Sequence, residues 1–124
     1  MFRKTYQATH PDMMEDARNQ QLRDRYLVTD LFAPERVSLD YSHNERFVIG
    51  GAAPVRETLT LPAQSEPKAG VPFLERRELG VVNVGAGEGR VRVGSETHSL
   101  RPRDGLYVPM GSHDVPRLFV DSIV

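Results

Sequence analysis

The stretch VSLDYSHNERFVIGG, residues 37–51, decides the fold class. Val37, Leu39 and Tyr41 alternate with polar residues, which is the period of a β-strand with one buried face. The glycine pair at Gly50 and Gly51 predicts a sharp corner or a close approach between strands, because glycine has no Cβ. This stretch therefore predicts a strand followed by a tightly packed backbone position.

The same alternation recurs at Val55, Leu59 and Leu61, so the strand pattern extends along the chain. Gly- and Pro-rich breaks separate the runs at intervals of roughly ten residues, as expected of short strands joined by turns. The breaks are GGAAP, AQSEPKAG, GAGEG, RPRDG and VPMGSHDVP. Such spacing predicts an all-β sandwich or barrel.

The N-terminal region has a different pattern. Residues 9–27 predict one helix, because Thr9 can cap it, Pro11 suits a first turn and acidic residues follow. Its apolar stripe is thin, so we expect the helix to lie against a larger surface. The sequence thus predicts an N-terminal helical arm, residues 1–28, and a β-domain, residues 29–124.

Composition limits the classes of function. The 124 residues fit one domain, and a net charge of −1 gives no basic field for binding nucleic acid or an anionic membrane. The chain has no cysteine, no apolar leader in MFRKTYQATH and no run long enough to span a bilayer. A soluble cytoplasmic protein is the expectation.

The segment GAGEG, residues 85–89, invites comparison with a phosphate-binding loop. The dinucleotide fingerprint needs a third glycine at position 90, which is Arg90, and a helix must follow. The next residues, RVRVG, alternate like a strand instead. A hairpin turn between two strands is therefore predicted.

The four histidines, His10, His43, His98 and His113, show no H-x-H or H-x-x-x-H spacing. No metal motif is visible, and none is predicted within this chain. His10 and His98 fit solvated turn and strand-surface positions. His43 and His113 lie beside turns with other polar residues and are the stronger functional candidates.

Residues 78–113 resemble the two conserved stretches of a cupin barrel in reduced form. Glu78 followed by six residues and Gly85 is similar to the acidic end of the first cupin motif, and PMGSH at 109–113 to the end of the second. The positions where metal-binding cupins carry an H-x-H pair are Val71 and Phe73, or Pro72 and Leu74, which are not ligands. The resemblance implies a cupin-like barrel without the metal cage, and we expect this barrel to be incomplete.

Three longer stretches resemble one family within that superfamily. YSHNERFVIGG at 41–51, FLERRELGVVNVG at 73–85 and RDGLYVPMGS at 103–112 are similar to the N-terminal half of 5-keto-4-deoxyuronate isomerase, also called 4-deoxy-L-threo-5-hexosulose-uronate ketol-isomerase. The resemblance implies ketol-isomerisation of an acidic sugar in pectin and polyuronate breakdown. It also implies zinc, with ligands in a C-terminal half that lies outside this sequence. Because an unfinished sheet exposes unpaired edge groups and an apolar face, we expect the chain to form a homo-oligomer.

Such a reaction needs a base, an electrophile for the enediolate oxygen and a cation for the substrate carboxylate. If residues 73–84 form one strand, Glu75 and Arg77 share one face and Arg76 and Glu78 the other. The functional hypothesis is that Glu75 and Arg77 bind the acidic sugar. The alternative is that both faces form cross-strand ion pairs, and we prefer this reading for Arg76 and Glu78.

His43 and Arg46 are the other predicted substrate-binding residues. Histidine titrates near neutral pH and arginine pairs with carboxylates, whereas the structural alternative is a strand-end histidine beside a solvated arginine. The sequence does not identify the catalytic residues. Two functions therefore remain: the N-terminal half of the isomerase, or a non-catalytic cupin module that builds an oligomer or binds an acidic sugar.

Overall fold

The computed structural model describes residues 2–62, 72–111 and 117–120. The structure is 36% strand and 12% helix, which confirms the predicted all-β class. The strands of the described residues are β1 Thr5–Tyr6, β2 Val37–Ser42, β3 Phe47–Ala52, β4 Leu59–Thr60, β5 Leu79–Val82, β6 Gly89–Val93, β7 Glu96–Leu100, β8 Gly105–Val108 and β9 Arg117–Val120. The helical elements are a 3-10 helix at Pro11–Met14 and one α-helix, α1, at Asn19–Tyr26.

The strands form three sheets. The first has the order β1-β2-β3, the second β4-β9-β6-β7 and the third β5-β8. All pairings are antiparallel except that of β1 with β2. These sheets do not close into a barrel over the ranges that the structure describes, and they are consistent with a small all-β cupin-like domain.

The hairpin of β2 and β3 contains the glycine pair predicted to allow close approach. The strands pair from Val37 with Ala52 to Ser42 with Phe47, and residues 43–46 form the turn. A Cβ built on Gly50 would lie 2.6 Å from Leu39 Cδ2, and one on Gly51 would lie 2.7 Å from Leu31 Cγ and touch the Leu31 carbonyl. The prediction of a close approach is confirmed.

One apolar cluster packs the β2–β3 hairpin against the segment that precedes β5 and against β8. Its buried members are Leu39, Leu61, Phe73, Leu74 and Val108. Burying such side chains stabilises the fold by about 2 kcal/mol each. Val82 and Val84 lie outside this core and are 63% and 68% exposed.

The prediction of one strand over residues 73–84 is wrong, because β5 begins at Leu79. Phe73 and Leu74 are consecutive and both buried, at 4% and 1% exposure, whereas neighbouring strand residues face opposite ways. A turn follows, in which the Glu75 N–H donates to the Pro72 carbonyl at 3.2 Å. Glu75 and Arg77 therefore do not share a strand face.

The prediction of a single helix over residues 9–27 is also wrong, because the structure has two short helical elements there, Pro11–Met14 and Asn19–Tyr26. His10, rather than Thr9, caps the first: its Nδ1 accepts the Asp12 N–H at 3.2 Å. The second element, α1, begins at Asn19, and the Gln21 side chain caps it by accepting the Arg18 backbone N–H at 2.9 Å. Among the described residues, no helix is long and apolar enough to cross a membrane.

The N-terminal residues join the first sheet. β1 runs parallel to β2, and α1 lies between them in the chain. Lys4 Nζ donates to the Asp24 carbonyl at 2.7 Å and Tyr6 Oη to the Leu27 carbonyl at 2.8 Å, at the end of α1 where free carbonyls need donors. The boundary near residue 28 stays a prediction.

Arg3 and Asp40 form a bidentate ion pair that fastens this N-terminal segment to β2. Arg3 Nε and Nη2 donate to Asp40 Oδ1 and Oδ2, each at 2.9 Å. Arg3 also donates to the carbonyls of Thr29 and Asp30. Asp40 is 2% exposed, so its charge depends on this one guanidinium partner.

The GAGEG segment is a turn between two strands, as predicted, but it is not a hairpin. It follows β5 and leads to β6, which belong to different sheets. Asn83 organises it: Nδ2 donates to the carbonyls of Gly87 and Leu100 at 2.8 and 2.9 Å, and Oδ1 accepts the Gly85 N–H at 2.9 Å. The glycines here serve a turn and do not precede a helix.

The Glu35 carboxylate is held by successive backbone N–H groups. It accepts hydrogen bonds from Val55 at 2.8 Å, from Arg56, and from Glu57 at 3.1 Å. These bonds, that from Arg56 foremost, lower the pKa of Glu35 below its ordinary value of 4.5. The carboxylate thus anchors the 55–57 loop to the segment before β2.

We expect this anchor to make stability depend on pH. A pKa lowered by folding gives stabilisation that is complete above the unfolded pKa and is lost as pH falls through the folded pKa. Glu35→Gln should therefore lower the melting temperature most at pH 7, and the difference from the parent chain should shrink as pH falls below the ordinary glutamate pKa of 4.5. Thermal melts at pH 7, 5 and 3 test this, and a difference independent of pH would contradict it.

Candidate functional site

His43 and Arg46 lie in the exposed four-residue turn between β2 and β3. The His43 backbone N–H donates to the Tyr6 carbonyl at 2.8 Å, which fixes the turn against β1. Its imidazole meets the Tyr41 ring edge to face, with centroids 4.7 Å apart. The histidine is thus oriented by its neighbours while its ring stays accessible.

Arg46 adopts a backbone conformation that favours glycine. Its φ is +59°, in the left-handed region where a long side chain costs about 1 kcal/mol or more. The structure shows no hydrogen bond or ion pair from its side chain to another described residue. Asparagine or glycine would fit this backbone conformation better. An arginine with a free guanidinium at such a position therefore suggests that its side chain has a function.

Glu75 and Arg77 lie in the irregular segment before β5, in a different part of the fold. The Arg77 guanidinium carbon is 5.2 Å from the centroid of the buried Phe73 ring, a cation–π contact. Arg77 Nη1 is buried and meets no hydrogen-bond acceptor among the described residues. Glu75 is exposed. No hydrogen bond or ion pair between described residues joins this pair to His43 and Arg46.

The structure shows no ion pair between Arg76 or Glu78 and any other described residue, so the predicted cross-strand ion pairs are not found there. Desolvation, and after it the nearby Glu78 carboxylate, raises the pKa of Tyr107. Gly80 and Tyr107 are paired across β5 and β8, so Glu78 lies just before this register. Glu78 therefore lies near Tyr107 across the two strands, and its structural role stays a prediction.

A cleft of about 310 Å³ lies beside the β2–β3 turn. The end of α1 forms one wall, and residues on both sides of the turn form the other. Its lining includes Tyr6, Arg25, Tyr26, Ser42, Glu45 and Phe47. Ser42 Oγ donates to Glu45 Oε2 at 2.7 Å, and burial raises the pKa of Tyr6, which keeps its hydroxyl a donor.

The residues that the sequence analysis missed are Arg25, Tyr26 and Phe47. Two of them lie on a helix whose residues are all exposed, where arginine and tyrosine ordinarily face solvent. Phe47 is 63% exposed, but its position at the start of a strand suggested an ordinary strand residue rather than a member of a site. The weak signal available was the clustering of SHNERF with an arginine- and tyrosine-containing helix end, LRDRYL.

The described residues do not fit a zinc site. They contain no group of three or more histidine, aspartate or glutamate side chains able to hold a metal ion. His10 caps the 3-10 helix and His98 lies 3.6 Å from Glu96 on β7, as the surface interpretation expects. Phe73 and Leu74, at positions where other cupins place ligands, are core residues. His113 lies outside the described residues.

The chain is similar to curated proteins that share one name. The 4-deoxy-L-threo-5-hexosulose-uronate ketol-isomerase of Bacillus subtilis is 42% identical over 108 residues, which are 87% of this chain and 38% of that protein. The protein of the same name from Lachnospira eligens is 45% identical over 103 residues, 83% of this chain and 36% of the relative. That from Escherichia coli O127:H6 is 36% identical over 117 residues, 94% of this chain and 42% of the relative.

The chain therefore spans about two fifths of the length of these curated relatives, in their N-terminal part. No protein-family model matches it. The resemblance drawn from the three sequence stretches is confirmed by these matches.

Proposed function

Because the chain is homologous to the N-terminal part of 4-deoxy-L-threo-5-hexosulose-uronate ketol-isomerases, we propose that it serves the same reaction as that part of the enzyme. The reaction moves a carbonyl along an open-chain acidic sugar through an enediol, in pectin and polyuronate breakdown. The observation that carries the proposal is 36–45% identity over most of the chain. The zinc of the parent family would then be held by residues other than those described.

Within this proposal the chain supplies binding groups. His43 and Arg46 offer an accessible imidazole and a free guanidinium on one turn, and both can form hydrogen bonds with the oxygens of an acidic sugar. Glu75 and Arg77 remain candidates as separate residues, because the shared strand face that first linked them does not exist. No residue described here is assigned as a catalytic base.

The first test is turnover of 5-keto-4-deoxyuronate by the purified chain, with and without zinc, beside the full-length Bacillus subtilis relative. We expect the chain alone to show no turnover above background. A chimera should be measured in the same assay, with this chain replacing the homologous segment of the relative. It should retain at least about a tenth of the relative's kcat/KM. An inactive, folded chimera would contradict the proposed function, and activity of the chain alone without zinc would contradict the placement of the metal.

In that chimera, Arg46→Asn is expected to separate binding from stability. Asparagine tolerates the left-handed backbone, so the melting temperature should stay the same or rise. Loss of the guanidinium should lower kcat/KM about tenfold, mainly through KM. Arg76→Gln is the matched control, since we assign Arg76 a structural role, and should stay within about twofold. Equal effects of Arg46→Asn and Arg76→Gln on kcat/KM would contradict a substrate-binding role for Arg46.

The second candidate, a module that builds a homo-oligomer, is favoured by one surface. The outer face of β5 and β8 exposes Val82 and Tyr107, and Val84 follows two residues after β5; each of the three is more than 60% exposed. Three neighbouring exposed apolar side chains on and beside a two-stranded sheet are typical of a surface that is covered by a partner. We propose a second copy of the chain as that partner.

Sedimentation velocity at micromolar concentration tests this self-association. The parent chain should sediment as a dimer or larger, and Val82→Lys should shift it toward the monomer. Val55→Lys is the control, because Val55 is also exposed but lies outside this face. A compact monomer for the parent chain would contradict the oligomer. The cytoplasmic location stays a prediction.

A further inference from the structure

The cleft beside the β2–β3 turn is open to solvent and combines charged, polar and aromatic side chains in its lining. Its volume of about 310 Å³ is at the lower end of ligand pockets, enough for one six-carbon molecule. Its walls come from two elements separated in sequence, the last turn of α1 and the β2–β3 hairpin. Tyr6 and Ser42, each 5% exposed, lie at the base of the cleft, which is therefore packed.

One wall carries an unused cation. Arg25 lines the cleft, and its guanidinium has no hydrogen bond or ion pair with any residue in the described ranges. Arg3, by contrast, is engaged by Asp40 and two backbone carbonyls. A free guanidinium in a cleft is suited to a bidentate interaction with a carboxylate.

The other wall carries hydrogen-bond acceptors. Glu45 receives the Ser42 hydroxyl at one oxygen, which leaves its second oxygen and the remaining lone pairs for hydroxyl donors of a ligand. A carboxylate in the cleft disfavours a dianion such as phosphate. It is compatible with a monoanion that also bears hydroxyl groups.

Two aromatic rings complete the lining. Tyr26 and Phe47 are 47% and 63% exposed, although both line the cleft. Aromatic rings that face a small polar cleft provide apolar contact area for the carbon skeleton of a ligand. The cation, the acceptors and the rings together define the chemistry of the ligand.

We propose that this cleft binds a sugar acid, with Arg25 pairing its carboxylate, Glu45 and Ser42 accepting its hydroxyl groups, and Tyr26 and Phe47 packing against its ring or chain. The proposal deepens the proposed function and rests on it for the choice of an acidic sugar as ligand. It places the sugar in a cleft adjoining the turn of His43 and Arg46, away from Glu75 and Arg77.

The test is an NMR titration of the ¹⁵N-labelled chain with D-galacturonate, using D-galactose and inorganic phosphate as comparison ligands. We expect saturable shifts at the amides of residues 25–28 and 42–49, with Kd of about 1 mM. Galactose and phosphate should bind at least tenfold more weakly. Shifts confined to residues 75–82, or equal binding of galactose, would overturn the proposal.

Matched variants sharpen this result. Arg25→Gln should weaken galacturonate binding at least tenfold and Arg25→Lys less, because lysine keeps the charge and loses the fork. Arg23→Gln is the control, since Arg23 lies on the same helix turn outside the cleft lining, and should change Kd by less than twofold. Unchanged binding by a folded Arg25→Gln variant would overturn the proposal.

The binding and turnover experiments can fail separately. Galacturonate binding in the cleft, with an inactive chimera, would support the cleft and contradict the proposed function. An active chimera whose kcat/KM is unaffected by Arg25→Gln would support the function and contradict the cleft.

Discussion

Replacing Asp40 with asparagine is expected to lower the melting temperature of the chain by roughly 10 °C, because the change breaks a buried ion pair. Asp40 is 2% exposed and receives two hydrogen bonds of 2.9 Å from Arg3. Asparagine keeps the shape but presents an amide where a second acceptor is needed. Thermal unfolding followed by circular dichroism at pH 7 measures the change.

The matched control is the surface pair of Arg101 and Asp104. Their atoms are 3.5 Å apart, and the Arg101 side chain is 80% exposed. Such pairs contribute little, so Arg101→Gln should shift the melting temperature by less than about 2 °C. The double variant Arg3→Gln, Asp40→Asn should lose less than the sum of the two single variants. Equal shifts for Asp40→Asn and Arg101→Gln would show that the buried pair has no special weight.

The second large effect is expected for Gly51→Ala, with a loss of about 3 kcal/mol in the free energy of unfolding. An alanine Cβ at this position would meet the Leu31 carbonyl and Cγ. The contact involves backbone, so relief requires the 31–34 segment to move away from β3. Urea denaturation gives the free energy directly.

Gly80→Ala is the control for this variant, because Gly80 is also in a strand and a Cβ there meets nothing within 4 Å. Alanine suits a strand at least as well as glycine, so stability should stay level or rise slightly. A loss at position 80 as large as that at position 51 would point to strand propensity rather than to the contact with Leu31.

The parts of the fold that follow from local pattern were predictable. Alternation from Val37 to Tyr41 marks β2, and Gly50 and Gly51 mark the close approach at β3. The exceptions depend on contacts between distant residues. β1 has two residues and exists because it pairs with β2, 36 positions later. Buried neighbours Phe73 and Leu74 break the alternation that a strand over 73–84 assumed.

Part of the candidate site could be predicted from local sequence, and the rest depends on contacts between distant residues. His43 and Arg46 were found from residue type, because a histidine and an arginine in one turn have evident chemistry. The pairing of Glu75 with Arg77 depended on a strand that a turn at Pro72 replaces. Arg25 gave only a weak local signal, since its place in the cleft depends on the hairpin that packs beside the end of α1.

The parallel pairing of β1 with β2 also sets an order on synthesis. Arg3, Thr5 and Tyr6 leave the ribosome before their partners, Asp40 to Ser42, which follow about 35 residues later. At about 5 to 20 residues per second, this segment waits a few seconds without its sheet. During that time its exposed backbone is open to proteases and to mispairing with other nascent chains. Translation speed through residues 7–42 is therefore a determinant of the yield of folded protein.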